Sequence, residues 1–151
     1  MAYALITGAS KGIGKAIAET LAGRGFDVLL VARSASLLEE VSDHIRSKYK
    51  VNAHSLAMDL ATENAAEKIY NWCTSNQYAV QVLVNNAGYG LSGSFEKYTA
   101  TESRDMMMLN MVTPVQLCRL FLPLLRAQTK GSGRGRARGV PRRSEDHRHR
   151  G

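Results

Sequence analysis

The length, composition and charge of the chain indicate one ordinary globular domain followed by a basic end. The chain has 151 residues, of which 44% are apolar, enough for a domain with its own core. Its net charge of +7 is uneven, because residues 1–129 carry 12 Lys/Arg and 11 Asp/Glu, whereas residues 130–151 carry 8 and 2. This distribution excludes a polyanion-binding surface spread over the whole chain.

The N-terminal sequence bears on whether the protein is secreted or membrane-bound. No charged segment followed by an apolar one opens the chain, and the apolar run at residues 28–32 is too short to cross a bilayer. We therefore expect a cytoplasmic protein without a membrane partner.

Cys73 and Cys118 lie far apart in sequence, with no Cys or His at ligand spacing. We expect two buried free thiols and no metal site.

A glycine-rich turn joins the apolar run at residues 3–6 to an amphipathic segment at residues 13–21. Residues 7–14 of this turn have the sequence T-G-A-S-K-G-I-G. Glycines let the backbone approach a ligand closely, while the amide groups and the dipole of a following helix favour an anion. The turn therefore predicts a strand, a phosphate-binding loop and a helix start. The alternative is a glycine turn that closes an ordinary strand-helix unit.

Strand and helix patterns alternate along the chain as far as residue 84. Helical patterns occur at residues 13–21, 37–45 and 65–73, and further strand patterns at residues 26–32, 51–58 and 80–84. The run at residues 26–32 has no polar interruption, which is typical of a parallel strand covered on both faces. We therefore predict an α/β protein with a Rossmann-like, doubly wound parallel sheet and right-handed crossovers.

The fourth predicted strand runs into Asn85-Asn86-Ala87-Gly88. Together with the T-G-x-x-x-G-x-G spacing of the first loop, this motif resembles the short-chain dehydrogenase/reductase family over about residues 3–128. The resemblance implies a nicotinamide dinucleotide cofactor and hydride transfer on an alcohol or carbonyl substrate. The small residues leave room for the cofactor, and the Asn side chains are expected to tie the central strands together.

The residues at which the resemblance implies cofactor contacts follow three of the predicted strands. They are Thr7, Gly8, Ser10, Lys11, Gly12, Ile13, Gly14, Asp59, Leu60, Asn86, Ala87 and Gly88. Asp59 matches the family Asp that hydrogen-bonds the adenine amino group. A cap for a helix that begins near Thr62 explains the same residue equally well, and both roles can coexist.

The end of the second predicted strand bears on the choice between NAD and NADP. A carboxylate there accepts the ribose 2′-OH of NAD, whereas an Arg pairs with the 2′-phosphate of NADP. This chain has Arg33 and no acid at that place, and Lys11 adds a second cation in the glycine loop. We therefore expect Arg33 to bind the cofactor and NADP(H) to be preferred over NAD(H). For each cation, a solvated surface side chain is the alternative.

A long helical pattern runs over residues 101–128, with apolar residues on more than one face. Its methionines indicate core or interface packing. By the resemblance, Asn110 stands where the family has its catalytic Asn, whose backbone carbonyl holds a proton-relaying water. Pro114 has no N–H for that carbonyl, so we expect a kinked helix with a free Asn110 C=O.

The resemblance ends at Lys130. The family's next strand, its catalytic Ser and its Tyr-x-x-x-Lys motif have no counterpart here, since no Tyr follows Tyr98. We therefore expect negligible turnover. The absent strand leaves the fourth strand at a sheet edge and the long helix partly uncovered, which favours self-association.

The basic end divides the chain into a predicted domain over residues 1–129 and a disordered Gly/Arg-rich tail over residues 130–151. The abrupt change in composition is also typical of an out-of-frame reading. The alternative function is a nucleic-acid-binding protein that uses this tail on a Rossmann scaffold. The tail has no aromatic residue for base stacking, which disfavours that alternative.

Overall fold

A computed structural model describes residues 2–131 of the protein, with side chains as far as residue 127. The elements are β1 (Tyr3–Thr7), α1 (Gly12–Gly23), β2 (Asp27–Ala32), α2 (Ala35–Tyr49), β3 (Ala53–Ala57), α3 (Ala65–Ser75), β4 (Val80–Val84), α4 (Ala100–Met107) and α5 (Thr113–Gly131). A 3-10 turn, Phe95–Lys97, precedes α4, and a π-helical segment, Met108–Val112, joins α4 to α5.

The end of α5 lies slightly beyond the predicted domain boundary. The helix extends to Gly131, two residues past position 129. The rest of the basic end, residues 132–151, lies outside the described residues. The predicted tail, and the nucleic-acid alternative that depends on it, therefore stay predictions.

The four strands form one parallel sheet in the order β3-β2-β1-β4. All six residues of β2 are buried, as expected for a strand covered on both faces. The predicted Rossmann-like α/β fold is confirmed. Because the strands are parallel, their carboxyl ends share one edge of the sheet, where ligands bind in this class of fold. The turns after the four strands are thus brought side by side.

Two hydrophobic clusters, one on each face of the sheet, hold the layers together. Neighbouring residues of β1 point to opposite faces, so Ile6 packs with α1 and α2, whereas Leu5 packs with α3 and α5. The contribution of α5 to the second cluster comes from Leu117 and Phe121, both fully buried. These contacts seat α5 against the sheet beside β4, which is an edge strand.

The outer face of α4, the π-helical segment and α5 carries a stripe of exposed apolar side chains at helical spacing. The members of this apolar stripe are Met107 (49% exposed), Met111 (62%), Val115 (67%) and Leu122 (44%). Periodicity alone did not decide between core and interface packing for the methionines. The exposure of Met107 and Met111 removes core packing and leaves the interface alternative.

The described residues include one stretch, Ala100–Ala127, that is long and apolar enough to cross a membrane by length and composition. A core helix of a soluble protein passes the same test. Leu117 and Phe121 of this stretch are buried against the rest of the fold. The expected absence of a membrane partner therefore stays a prediction.

The two cysteines differ in environment. Cys73 is buried in α3, and this burial raises the pKa of its thiol to about 12, which makes it a poor nucleophile. Cys118 is exposed, so the prediction of two buried thiols is wrong for Cys118. Asn85 donates from Nδ2 to the Cys118 sulfur at 3.3 Å, so it contacts α5 instead of a neighbouring strand.

Candidate cofactor site

The turn after β1 packs so closely against the turn after β4 that two of its positions require glycine. Gly8 has φ of +68°, and a Cβ there would lie 2.8 Å from the Cα of Ala87. A Cβ on Gly14 would overlap the carbonyl oxygen of Gly8. Gly12 has φ of +58° with open space on its Cβ side. The loop is therefore closed against the sheet and open at Gly12, where a ligand can approach the backbone.

Thr7 and Asn86 hold these two turns together. Asn86 Nδ2 donates to the carbonyls of Thr7 (3.1 Å) and Gly8 (3.2 Å). The Thr7 hydroxyl accepts from the amides of Asn86 and Ala87, both at 3.1 Å, and donates to the Val84 carbonyl at 3.3 Å. The expectation that Asn side chains tie the central strands is thus confirmed for Asn86. Thr7 is only 2% exposed, so its side chain stabilises the loop from the protein interior.

The helix α1 begins at this loop without a side-chain cap. Its N-cap residue, Lys11, makes no capping hydrogen bond, and the first turn contains no acidic residue. The first amides of a helix have no intrahelical acceptor and attract anions. Ile13, the first apolar residue of the amphipathic segment, is 73% exposed at this turn and lies outside the buried face of α1. These donors, beside a half-buried Ser10, fit the pyrophosphate of a dinucleotide.

Two exposed cations lie along the same edge of the sheet. Lys11 belongs to the loop, and Arg33 directly follows β2. The amide of Gly8 donates to the Val31 carbonyl at 2.8 Å, which ties the loop to the end of β2. Within the residues whose side chains are described, neither cation forms an ion pair. Both side chains are therefore available to a phosphate.

The turn after β3 carries Asp59, which is exposed. Asp59 Oδ1 accepts from the amide of Ala61 at 2.9 Å, and the Thr62 hydroxyl donates to the Asp59 carbonyl at 2.7 Å. The next helix begins only at Ala65, with Asn64 as its N-cap, so the helix-cap role for Asp59 is wrong. Asp59 instead closes an Asx turn that sets its carboxylate at the sheet edge.

The side chain of Asn110 lies against the turn after β4. Its Oδ1 accepts from the Tyr89 amide at 3.1 Å, and its Nδ2 donates to the Tyr89 carbonyl at 2.7 Å. A Cβ on Gly88 would lie 3.0 Å from Asn110 Oδ1. The backbone before Pro114 widens into the π-helical segment, which accommodates the missing donor. A free Asn110 carbonyl stays a prediction.

Two features of the site region were missed by sequence reasoning. The Thr113 hydroxyl donates to the Leu60 carbonyl at 2.7 Å, and both residues are buried, so Leu60 can offer only its backbone to a ligand. A Thr inside an apolar helical pattern gives no signal of such a contact. Thr99 and Glu102 form a capping box for α4, which the T-x-x-E spacing could have predicted.

The structure brings the predicted contact positions to one edge of the sheet. In spatial order these are the turn after β3 with Asp59, the end of β2 with Arg33, the glycine loop after β1, and the turn after β4 with Asn86. Their contacts with a cofactor stay predictions. No group of three His, Cys, Asp or Glu side chains that could hold a metal occurs among the described residues.

A glycine loop that runs into an uncapped helix at the carboxyl edge of a parallel sheet defines a dinucleotide-binding protein of the Rossmann type. The chain matches the family described as short chain dehydrogenase over residues 2–133, and it belongs to that family. The matched residues correspond to the NAD(P)-binding part of these oxidoreductases, for which nicotinamide dinucleotide binding is typical.

Among curated proteins, the chain is similar to very-long-chain 3-oxoacyl-CoA reductases. It is 37% identical to the protein of that name from Eremothecium gossypii over 131 residues, which cover 85% of this chain and 37% of the relative. It is also 37% identical to very-long-chain 3-oxoacyl-CoA reductase-B of Danio rerio over 133 residues, covering 85% and 42%. The chain thus spans about two-fifths of the length of these relatives.

Solved structures of short-chain dehydrogenases and reductases are also similar to this chain. L-sorbose reductase from Gluconobacter frateurii, complexed with NADPH and L-sorbose, has a TM-score of 0.77 and 32% identity, with 83% of this chain and 48% of that chain covered. A short-chain dehydrogenase from Sphingobium yanoikuyae in complex with NADPH has a TM-score of 0.77 and 31% identity, with 87% and 50% covered.

Proposed function

We propose that the chain is the NADP(H)-binding part of a short-chain carbonyl reductase. The observation that carries this proposal is the close packing at Gly8 and Gly14. A side chain at Gly8 would clash with the Ala87 backbone, and one at Gly14 would clash with Asn86. Such packing seats the first amides of α1 at the sheet edge, where they can donate to a pyrophosphate.

The preference for NADP(H) over NAD(H) is supported by charge. Arg33 and Lys11 present two cations without an ion-pair partner among the described side chains, and no carboxylate follows β2 to accept a ribose 2′-OH. The relatives from Gluconobacter frateurii and Sphingobium yanoikuyae are described in complex with NADPH, which agrees with this choice.

The substrate class follows from the curated relatives. Their names describe reduction of a 3-oxoacyl thioester of coenzyme A, and we extend that substrate class to the complete enzyme from which this chain's matched part would come. The chain's own 151 residues contain no Tyr after Tyr98, and so no Tyr-x-x-x-Lys motif for proton transfer to the carbonyl oxygen. General acid-base groups contribute about 10²- to 10⁴-fold to such reactions.

Titration of the 151-residue protein with NADPH, followed by an oxidation assay, tests the proposal. We expect saturable binding of NADPH and negligible oxidation of the bound cofactor when a 3-oxoacyl-CoA is added at high protein concentration. Binding supplies the cofactor, but the sequence has no Tyr-x-x-x-Lys motif to protonate the substrate oxygen. Absence of NADPH binding would overturn the proposed function, and robust turnover by pure protein would overturn the expected loss of activity.

The apolar stripe, Met107, Met111, Val115 and Leu122, supports self-association through the outer face of the helical stretch from α4 to α5. We expect the unaltered protein to gain mass with concentration in sedimentation experiments. The double variant Met111→Lys, Val115→Lys should shift it towards the monomer, because each Lys would bury a charge in the contact. Thr101→Lys, on an exposed position of α4, is the matched control. One monomer mass at every concentration would contradict this proposal.

A further inference from the structure

Thr113 is one of the few buried polar residues in the described part of the chain, with 1% of its surface exposed. Other helical threonines here, Thr20 and Thr74, donate to the carbonyl four residues back in their own helix, at 2.8 and 3.0 Å. That is the common arrangement for Thr in a helix. Thr113 instead donates at 2.7 Å to the carbonyl of Leu60, a residue 53 positions away.

The bond from Thr113 holds the turn that carries Asp59. The side chain of Leu60 is 4% exposed and packs in the cluster formed by α3 and α5, so Leu60 is fixed through both its side chain and its carbonyl. Asp59 is the preceding residue, and its Oδ1 is oriented by the amide of Ala61. The place of the exposed Asp59 carboxylate along the sheet edge is therefore set by α5.

The π-helical segment before Thr113 reaches the neighbouring turn as well. Asn110 exchanges two hydrogen bonds with the backbone of Tyr89, directly after Gly88. The start of α5 and this segment thus hold both the turn after β3 and the turn after β4. Asn110 and Thr113 are three positions apart in sequence, and the π-helical segment lets one contact the turn after β4 while the other contacts the turn after β3.

We propose that Thr113 is a positioning residue for adenine recognition, which acts by holding the Leu60 carbonyl so that the Asp59 carboxylate meets the adenine amino group. This inference rests on the proposed function, because it requires a dinucleotide at the sheet edge. Thr113 itself contacts no cofactor atom in this scheme. Loss of its hydroxyl leaves the Leu60 carbonyl buried without its partner, and the turn must shift to recover a hydrogen bond.

The experiment compares binding of NADPH with binding of its hypoxanthine analogue, in which an oxo group replaces the adenine amino group. A carboxylate accepts a hydrogen bond from the amino group and repels the oxo group, so the unaltered protein should prefer NADPH by about tenfold or more. In Thr113→Val, which keeps the shape and removes the hydroxyl, that ratio should fall towards one. Thr113→Ser keeps the hydroxyl and should keep the ratio.

Matched variants separate positioning from general damage to the fold. Thr74→Val removes a helical hydroxyl in α3 whose partners lie within that helix, and it should leave the ratio unchanged. Thr113→Ala serves as a second hydroxyl-free variant if Thr113→Val does not fold, and the same loss of discrimination is expected. A purely structural role would weaken NADPH and the analogue equally and leave the ratio intact.

The outcomes distinguish this inference from the proposed function. If the unaltered protein does not bind NADPH, the proposed function fails. If it binds both cofactors equally, or if the folded Thr113→Val or Thr113→Ala variant keeps the full preference for NADPH, the inference about Thr113 is overturned while the cofactor site stands.

Discussion

Gly14→Ala is expected to abolish NADPH binding and to lower the free energy of unfolding. The added Cβ would overlap the carbonyl oxygen of Gly8 and the Nδ2 of Asn86. The Gly8 carbonyl is backbone and cannot rotate away, so the loop must separate from the turn after β4. Overpacking of this kind costs about 1–3 kcal/mol and occasionally more. The loss of binding should exceed the loss of stability, because the displaced amides are the ones proposed to hold the pyrophosphate.

Gly23→Ala is the matched control for this variant. Gly23 lies in the same helix, and a Cβ there would meet only the ring edge of Tyr49 at 3.4 Å, an ordinary contact. Ala is favoured over Gly in a helix by up to about 1 kcal/mol, so this variant should keep or gain stability and keep NADPH affinity. Thermal unfolding and calorimetric titration of both variants supply the comparison. Unchanged NADPH affinity in Gly14→Ala would show that the cofactor does not bind this loop.

Arg33→Asp is expected to reverse the cofactor preference. A charge-assisted contact of Arg33 with the 2′-phosphate is worth on the order of 1–3 kcal/mol, so the unaltered protein should bind NADPH tenfold or more tightly than NADH. An Asp at the end of β2 would repel that phosphate and accept hydrogen bonds from the free ribose hydroxyls of NADH. Dissociation constants for both cofactors, measured at one salt concentration, give the two ratios.

Arg24→Asp controls for the change in net charge. Arg24 caps the far end of α1, away from the glycine loop, so this variant carries the same charge without altering the end of β2. Its ratio of NADPH to NADH affinity should match that of the unaltered protein. Equal affinity of the unaltered protein for the two cofactors would remove Arg33 from the site and leave the loop as a general pyrophosphate binder.

The strands and the glycine loop were predictable because their signals are local. The uninterrupted apolar run of β2 can only be buried on both faces, and all six of its residues are. The spacing of Gly8 and Gly14 likewise reflects close backbone packing, which the structure shows at both positions. The order of elements then fixes a parallel sheet, and with it the edge at which the turns meet.

What could not be predicted depends on tertiary partners. Helical periodicity predicts which residues share a face, but not whether that face is covered, so the exposure of Ile13 could not be predicted from its spacing. Pro114 predicted an irregular helix, but not its π-helical form. That form occurs where Asn110 and Thr113 contact Tyr89 and Leu60, which are distant in sequence. Asp59 is not a helix cap because α3 begins at Ala65, as its apolar pattern indicates, and not near Thr62, where the cap role would require it to begin.

An amide NMR titration of the 151-residue protein with NADPH tests the central claim most directly. A dinucleotide bound along the carboxyl edge of the sheet should shift the amide signals of the turns that meet there. The positions expected to move most are Gly8, Gly12, Ile13, Gly14, Arg33, Asp59, Leu60 and Gly88. Signals of residues far along the apolar stripe and at the opposite edge, such as Leu122 and Gly25, should stay in place. The claim that a dinucleotide binds along this edge would be contradicted if saturating shifts were confined to residues outside these four turns and the amide signals of Gly12 and Gly14 did not shift.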